Sequence, residues 1–456
     1  MMYMYQSSLF LFLSILSSSY SSRVSPAVAA FSPISTTTTT TSSRTTLTKM
    51  ASSSPSDGSS TKKNPPQHVI IAGGGVIGTT TAYYLAHNHG IASTVIDPTG
   101  TIAPAASGKA GGFLALDWND MSPLRQLARR SFALHQTLAD ALGATRVDYR
   151  RLMCASIGVD PTGRMKPRGK KFDNIEWATK ETTATTTTKQ EDAIAGNVVS
   201  FQVMGDTETI AQVHPKKLCV ALWESACSKI EETSNDSNNK KNQLVQGKVT
   251  SIAKHENDGS LVGVTLEDGT LIPGDTVLLA CGPWTANIMT GIKYHSVIIP
   301  TDNVLHQCVF FAGCGDPEVY VRPDATAYCT GFPDPPQRVT EQPGQEEVRP
   351  EAADRIVTAV RTASSSSSFA NNNEPEKVAA CYLPSTPDGL PIMGQVQDDA
   401  AVYVASGHTC WGILLGPASG ETMAHLIATG QTATDHVSLA PFQPARFRNL
   451  QLLEEQ

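Results

Sequence analysis

One short stretch constrains this chain more than any other: an apolar, β-branched run, His68-Val69-Ile70-Ile71-Ala72, that stops at Gly73-Gly74-Gly75-Val76-Ile77-Gly78. The run suits a buried parallel strand. Thr79 to His89 places Ala82, Tyr83, Leu85 and Ala86 at helical spacing, and Gly90 stops the helix. A second strand, Ser93 to Ile96, ends at Asp97. In this strand–turn–helix–strand unit each glycine has a physical task. Gly73 permits the tight turn, Gly75 leaves room for a pyrophosphate against the backbone, and Gly78 lets helix and strand approach. Val76 and Ile77 open the helix, whose free N–H groups favour an anion. Asp97 falls about 20 residues beyond the glycines, where a carboxylate accepts ribose hydroxyls and repels a 2′-phosphate. The unit predicts a bound dinucleotide and disfavours NADP. It does not choose between FAD and NAD, so an NAD-dependent dehydrogenase stands as one alternative.

Three later features narrow the choice. Ala105 to Ala115 is rich in small residues, Ser107, Lys109, Ala110, Gly111 and Gly112 among them, so its backbone can lie against a flat or anionic ligand. Asp275 to Ala280 is a strand running into Cys281-Gly282-Pro283-Trp284. Near the C-terminus, Thr386 to Gly394 precedes a strand, Val402 to Ser406, then Gly407-His408-Thr409-Cys410-Trp411-Gly412-Ile413 and a helix.

Taken in this order, from Gln67 to Ile427, these segments resemble the D-amino-acid oxidase, glycine oxidase and sarcosine oxidase family. The resemblance implies an α/β fold with a Rossmann-like FAD-binding domain and a mostly antiparallel substrate domain. It implies that Ser107, Lys109, Ala110, Gly111 and Gly112 pass the flavin, that Val249 contacts adenine through its backbone, and that Gly282 and Trp284 lie near the flavin. Gly407, His408, Gly412 and Ile413 would place a helix N-terminus at the flavin pyrimidine ring, where it can stabilise negative charge. The family layout assigns residues 66–125, 205–300 and 385–456 to the FAD domain. It assigns residues 126–204 and 301–384 to the substrate domain.

The expected activity is oxidation of a C–N bond in an amine or amino-acid-like small molecule by hydride transfer to flavin, with oxygen or another acceptor taking the electrons. Members that oxidise amino acids hold the substrate carboxylate with an arginine in or near the GHxxxG segment, because a guanidinium fork matches a carboxylate. Here Cys410 stands in that place. This departure also raises a flavin-binding assembly factor or scaffold without turnover as an alternative. Arg322, in Val319-Tyr320-Val321-Arg322-Pro323, is the candidate replacement clamp, and Lys109 is a candidate cation beside the flavin. Cys410 itself could pack near the ring or attach to it.

The remaining sequence sets boundaries. Net charge is −7 and no basic tract occurs, which disfavours nucleic acid as a partner. Nine scattered cysteines without a CxxC pair argue against a zinc site or other metal centre and against a disulfide framework. No acidic residue precedes Asp57, Ser and Thr dominate, and a short apolar run, Leu9 to Leu16, is followed by Ala27-Val28-Ala29-Ala30-Phe31. Residues 1–65 therefore read as a bipartite plastid presequence, with a mitochondrial presequence or initiation at Met50 for a cytosolic product as the alternatives. The apolar run is shorter than the roughly 20 residues that span a bilayer, and no later stretch reaches that length. Thr179–Glu191, Glu231–Gln243 and Ala363–Glu376 are polar enough to be loop insertions.

Overall fold

The computed structural model describes residues 65–160, 162, 164–165, 198–233, 241–313, 315, 317–363, 374–396, 399 and 401–453. The expected targeting segment lies outside them apart from residue 65. So do the whole of Thr179–Glu191 and the central parts of the other two polar stretches.

Five of the six strands in the first sheet are parallel. Their order is Ile392–Gln395, Val402–Ser406, Thr276–Leu279, His68–Ala72, Ala92–Asp97, Gln243–Gln246, with only Ile392–Gln395 antiparallel to its neighbour. Val69, Ile70 and Ile71 in the centre have no solvent-accessible surface. The expected β-branched run thus becomes a strand covered on both faces, each large side chain contributing roughly 1.5–3 kcal/mol. The helix Val76–His89 begins directly after Gly75 and ends at Gly90 in the left-handed region, whose N–H bonds Ala86 O. This helix is buried from Val76 to Ala86 because it lies between the helices Pro215–Thr233 and Gly412–Thr429.

The second sheet is mostly antiparallel and has seven strands: Lys377–Ser385, Thr290–Pro300, Thr326–Gly331, Glu318–Val321, Gln307–Ala312, Met153–Val159, Val198–Gly205. One pair, Gln307–Ala312 with Met153–Val159, is parallel. The alternation of its strands splits their side chains between two faces. Val297, Ile299, Val309, Phe311, Val319 and Val321 pack on Ile356, Val357 and Val360 of the helix Pro350–Ala363. Phe310, Tyr320 and Tyr328 turn the other way, toward the segment Gly111–Trp118.

Two segments fall on the other side of the division expected from sequence. The helix Arg125–Leu142, expected with the substrate domain, packs in the core of the parallel sheet against Gly412–Thr429. Its apolar stripe of Leu127, Leu134 and Leu138 matches that core. The strand Thr290–Pro300, expected with the FAD domain, pairs with Thr326–Gly331 and Lys377–Ser385 and belongs to the antiparallel sheet. No helix among the described residues is long and apolar enough to cross a membrane.

Candidate active site

The parallel register aligns four strand ends at one edge of the first sheet: Ala72 lies opposite both Leu279 and Ile96, and Leu279 opposite Val404. The chain leaves these ends through Gly73, Cys281, Asp97 and Gly407. A cavity of ≈ 470 Å³ opens there. It is walled by the early turn (Gly73, Gly75, Val76, Ile77), by Gly282 and Trp284, and by His408, Cys410, Gly412 and Ile413. Two motifs more than 300 residues apart in sequence thus share one cavity, at the position where open α/β sheets bind ligands.

At one end the wall is backbone. Gly73 has φ +110°, a conformation L side chains rarely adopt, and an added Cβ would come within 2.3 Å of Ala280 O. Gly78 lies beneath the cavity, and there a Cβ would meet Gly73 O at 2.0 Å. Ser107 Oγ accepts a hydrogen bond from Val76 N–H at 2.9 Å, capping the helix from the following loop. Asp97 is buried at the same end. Its Oδ1 accepts from Thr99 N–H and Oγ–H at 3.0 and 2.8 Å, and its Oδ2 accepts from Gly74 N–H at 3.1 Å. Burial raises its pKa, and the hydrogen bonds from Thr99 and Gly74 oppose that rise. Val249 lines the cavity beyond Asp97, beside Gly247 and Lys248.

At the other end the late segment is held from behind. Gly416 and Gly420 press on Val76 and Thr80, where Cβ atoms would come within 2.7 and 2.4 Å, and Thr80 Oγ–H donates to Gly416 O at 3.1 Å. This contact ties the two motif helices together. Pro417 has no N–H and so leaves Ile413 O without its helical donor. His135 Nε2–H donates to that carbonyl at 2.9 Å, and Ser131 Oγ accepts from Ala418 N–H at 3.0 Å. Burial lowers the His135 pKa to about 4. His408 is buried, shares a hydrogen bond with Ser419 Oγ at 3.0 Å, and is lowered by burial to about 3. Thr409 takes a left-handed φ of 51°, a strained conformation for a β-branched residue. It turns the chain so that Cys410 presents its surface to the cavity. Although Cys410 is exposed to the cavity, desolvation by the surrounding walls, then the charge of Glu318, push its thiol up to about 12. No side chain caps the helix Gly412–Thr429.

The two remaining catalytic candidates from the sequence do not line the cavity. Lys109 was expected beside the flavin; its Nζ instead donates to Glu346 Oε2 at 3.0 Å and to Ala380 O at 2.9 Å. Glu346 is 1% exposed and also accepts from Gly344 N–H, so the pair fastens the 340s loop to the small-residue segment. Arg322 was expected as an anion clamp. It lies over the Tyr328 ring, 5.5 Å from the centroid, and its guanidinium donates to Ala110 O at 3.5 Å. Ala110 lines the cavity, whereas Gly111 packs against Tyr320 and Tyr328, Gly112 against Val213 O, and Gly407 against Thr386.

Sequence reasoning missed Glu346, His135, Ser131 and the loop Val339–Pro343, which borders the cavity and accepts a 2.6 Å bond from Trp284 Nε1–H at Thr340 O. Of these, only the Ser131/His135 pair carried a signal, its i, i+4 spacing on one amphipathic helix.

The walls fit a flavin dinucleotide. Asp97 Oδ2 keeps acceptor capacity beyond its single partner, and glycines line the diphosphate path. An uncapped helix N-terminus faces the far end of the cavity.

Comparisons agree with this reading. The family model described as FAD dependent oxidoreductase matches residues 68–426. The Schizosaccharomyces pombe protein C1F5.03c, described as an oxidoreductase, is 28% identical over 390 residues, 78% of this chain and 93% of its own. Glycine oxidase from Bacillus cereus superposes with a TM-score of 0.62 at 20% identity, covering 86% of this chain and 99% of its own. The L-proline dehydrogenase of P. horikoshii gives 0.62 at 17% identity, covering 84% and 98%. At such identities the structural likeness establishes the fold.

Proposed function

Since the chain belongs to the FAD-dependent oxidoreductase family, we propose that it oxidises a C–N bond of a small amine or amino-acid-like molecule. The observation that carries this reading is the single cavity shared by the early glycine turn and the Thr409–Ile413 segment.

FAD held by these residues would supply a two-electron acceptor for hydride from the carbon next to nitrogen, with water hydrolysing the oxidised substrate and oxygen or another acceptor taking the electrons. The protein's part is orientation and electrostatics. Ser107 Oγ takes the Val76 N–H, so the N–H groups that follow it at the helix start and the glycine backbone would meet the diphosphate. Asp97 would accept the ribose hydroxyls, and Gly247–Val249 would border adenine. The uncapped helix at Gly412 would favour negative charge at the ring end, with Gly282 and Trp284 closing the opposite side. His408 is held neutral by burial and bonded to Ser419, so it positions the segment without adding charge. The substrate lies between this end and the antiparallel sheet in the same reading. A neutral amine can lose hydride directly, so no general base is needed.

Purified protein should be yellow, and its flavin should bleach anaerobically with a donor from a panel of amines and N-methyl amino acids. A flavin-loaded protein that no donor bleaches would instead support a scaffold. For the first 65 residues we keep the plastid destination as a proposal. A fluorescent fusion of that segment reporting from mitochondria or cytosol would overturn it.

A further inference from the structure

The loop between the strand Thr326–Gly331 and the helix Pro350–Ala363 leaves the antiparallel sheet and reaches the cavity. Its base is stitched to the strand Thr290–Pro300. Asp334 N–H donates to Lys293 O at 2.9 Å, and Gly291 and Gln337 exchange backbone hydrogen bonds of 3.0 and 2.9 Å. The Arg349 guanidinium closes the base on the Asp334 carboxylate, at 2.6 and 2.8 Å. Beyond Gln337 the strand pairing stops, and Val339 to Pro343 stand one after another in the cavity wall.

Three contacts hold this tip down, and each joins two protein groups. Trp284 Nε1–H donates to Thr340 O at 2.6 Å. Lys248 Nζ lies 3.5 Å from Glu341, a largely exposed pair that adds little. At the far end the buried Glu346 carboxylate accepts from Lys109 at 3.0 Å and from Gly344 N–H at 2.9 Å. Gly344 bends the chain there with φ +95°. Trp284 borders the ring end of the cavity and Lys248 the nucleotide end, so the tip runs from one end toward the other. A dinucleotide reaching from Asp97 to Gly412 passes beneath it.

Resting on FAD lying in this cavity, and independent of what the flavin oxidises, we propose that residues 338–345 are a gate whose opening limits both the entry and the release of FAD. The Trp284–Thr340 and Lys109–Glu346 contacts are its latches. A ligand shifts a two-state element only by the difference in its contacts with the two states. The latches belong to the protein alone, so they must break both before FAD enters and before it leaves. Loosening one therefore speeds entry and release by the same factor and leaves Kd unchanged. A wall that only touched the cofactor would, when weakened, speed release alone.

The test uses the full-length protein. Entry is read by stopped-flow quenching of FAD fluorescence on mixing with apoprotein, and release by recovery of that fluorescence on dilution. Trp284→Phe keeps an aromatic ring and removes the donor. Both rates should rise roughly five- to tenfold, the effect of one neutral hydrogen bond, with Kd within about threefold of wild type. Lys109→Met should raise both by roughly thirtyfold or more. Glu341→Gln should change either by less than about threefold. Replacing residues 338–345 with Gly-Ser-Gly-Ser should give the fastest rates, an outcome that does not depend on the Lys109 variant folding. Release that quickens while entry keeps its wild-type rate would overturn the gate, as would wild-type rates in the tip replacement. A wild-type apoprotein that takes up no FAD would overturn the placement of FAD, and the gate with it.

Discussion

The two ends of the cavity are built from different materials. The nucleotide end is backbone: glycines whose missing Cβ atoms make room, a carboxylate aligned by neighbouring N–H groups, and a helix start. The ring end is side chain, borrowed from segments far apart in sequence: Leu383 and Pro384 from one strand, and Thr409 and Cys410 from the turn before the last long helix. The difference teaches where tolerance lies. A backbone-built end excludes almost any substitution at its glycines, whereas a side-chain-built end can change what it accepts by exchanging one residue without moving the fold.

That contrast can be broken by variants of graded effect. The largest is Gly78→Val. Its Cβ would overlap Gly73 O, so flavin should be lost entirely and stability should fall by about 3 kcal/mol. The flavin-to-protein absorbance ratio and a urea midpoint measure both, and a yellow, stable variant would contradict the account of this end.

Next is Lys109→Met, which strands the buried Glu346 carboxylate. The expected loss is about 2–3 kcal/mol, below the usual cost of breaking a buried pair because Lys109 is one-fifth exposed. Bleaching rates of the folded variant should stay within a few-fold of wild type. A hundredfold slower rate at wild-type stability would restore Lys109 to the chemistry.

Asp97→Asn follows. An amide can accept at one position only, so its NH₂ would face Gly74 N–H or the Thr99 donors, costing about 2 kcal/mol and roughly thirtyfold in FAD affinity. Fluorescence titration of the apoprotein reads this directly.

Acid comes fourth. His135 and His408 are buried neutral, with pKa values of about 4 and about 3 against an unfolded value near 6.5. Below pH 6.5 the unfolded chain binds protons that these folded sites refuse. Stability is therefore complete above 6.5 and falls by roughly 1.4 kcal/mol per pH unit for each histidine, down to the folded pKa. Both support the late segment, so flavin release should accompany acid unfolding, and His135→Gln should flatten the pH dependence measured by urea midpoints.

The smallest is Ser107→Ala, which removes the cap on Val76 N–H and should cost about 1 kcal/mol with flavin retained.

Much of the nucleotide end was legible because its physics is local. Glycine spacing, a β-branched run and an acid at a fixed distance suffice to specify strand, turn, helix and a buried carboxylate after the second strand, and the structure sets Gly73, Gly75, Val76, Ile77, Asp97 and Ser107 around the cavity. The partners of Lys109 and Arg322 were not legible, for the opposite reason. A charged side chain goes to its nearest partner in space, and neither Glu346 nor the Tyr328 ring is marked as that partner by any sequence interval. The helix Arg125–Leu142 likewise shows an apolar stripe without saying which sheet will cover it.

What the sequence determined by itself, then, is the dinucleotide-binding strand–turn–helix unit and the presence of a second glycine segment feeding a helix, because both rest on steric rules acting within a few residues. Tertiary structure alone decided that these two segments meet and that Pro417's missing donor is replaced by His135. Those outcomes depend on strand order and register, which bring together groups that the chain itself keeps about a hundred residues or more apart.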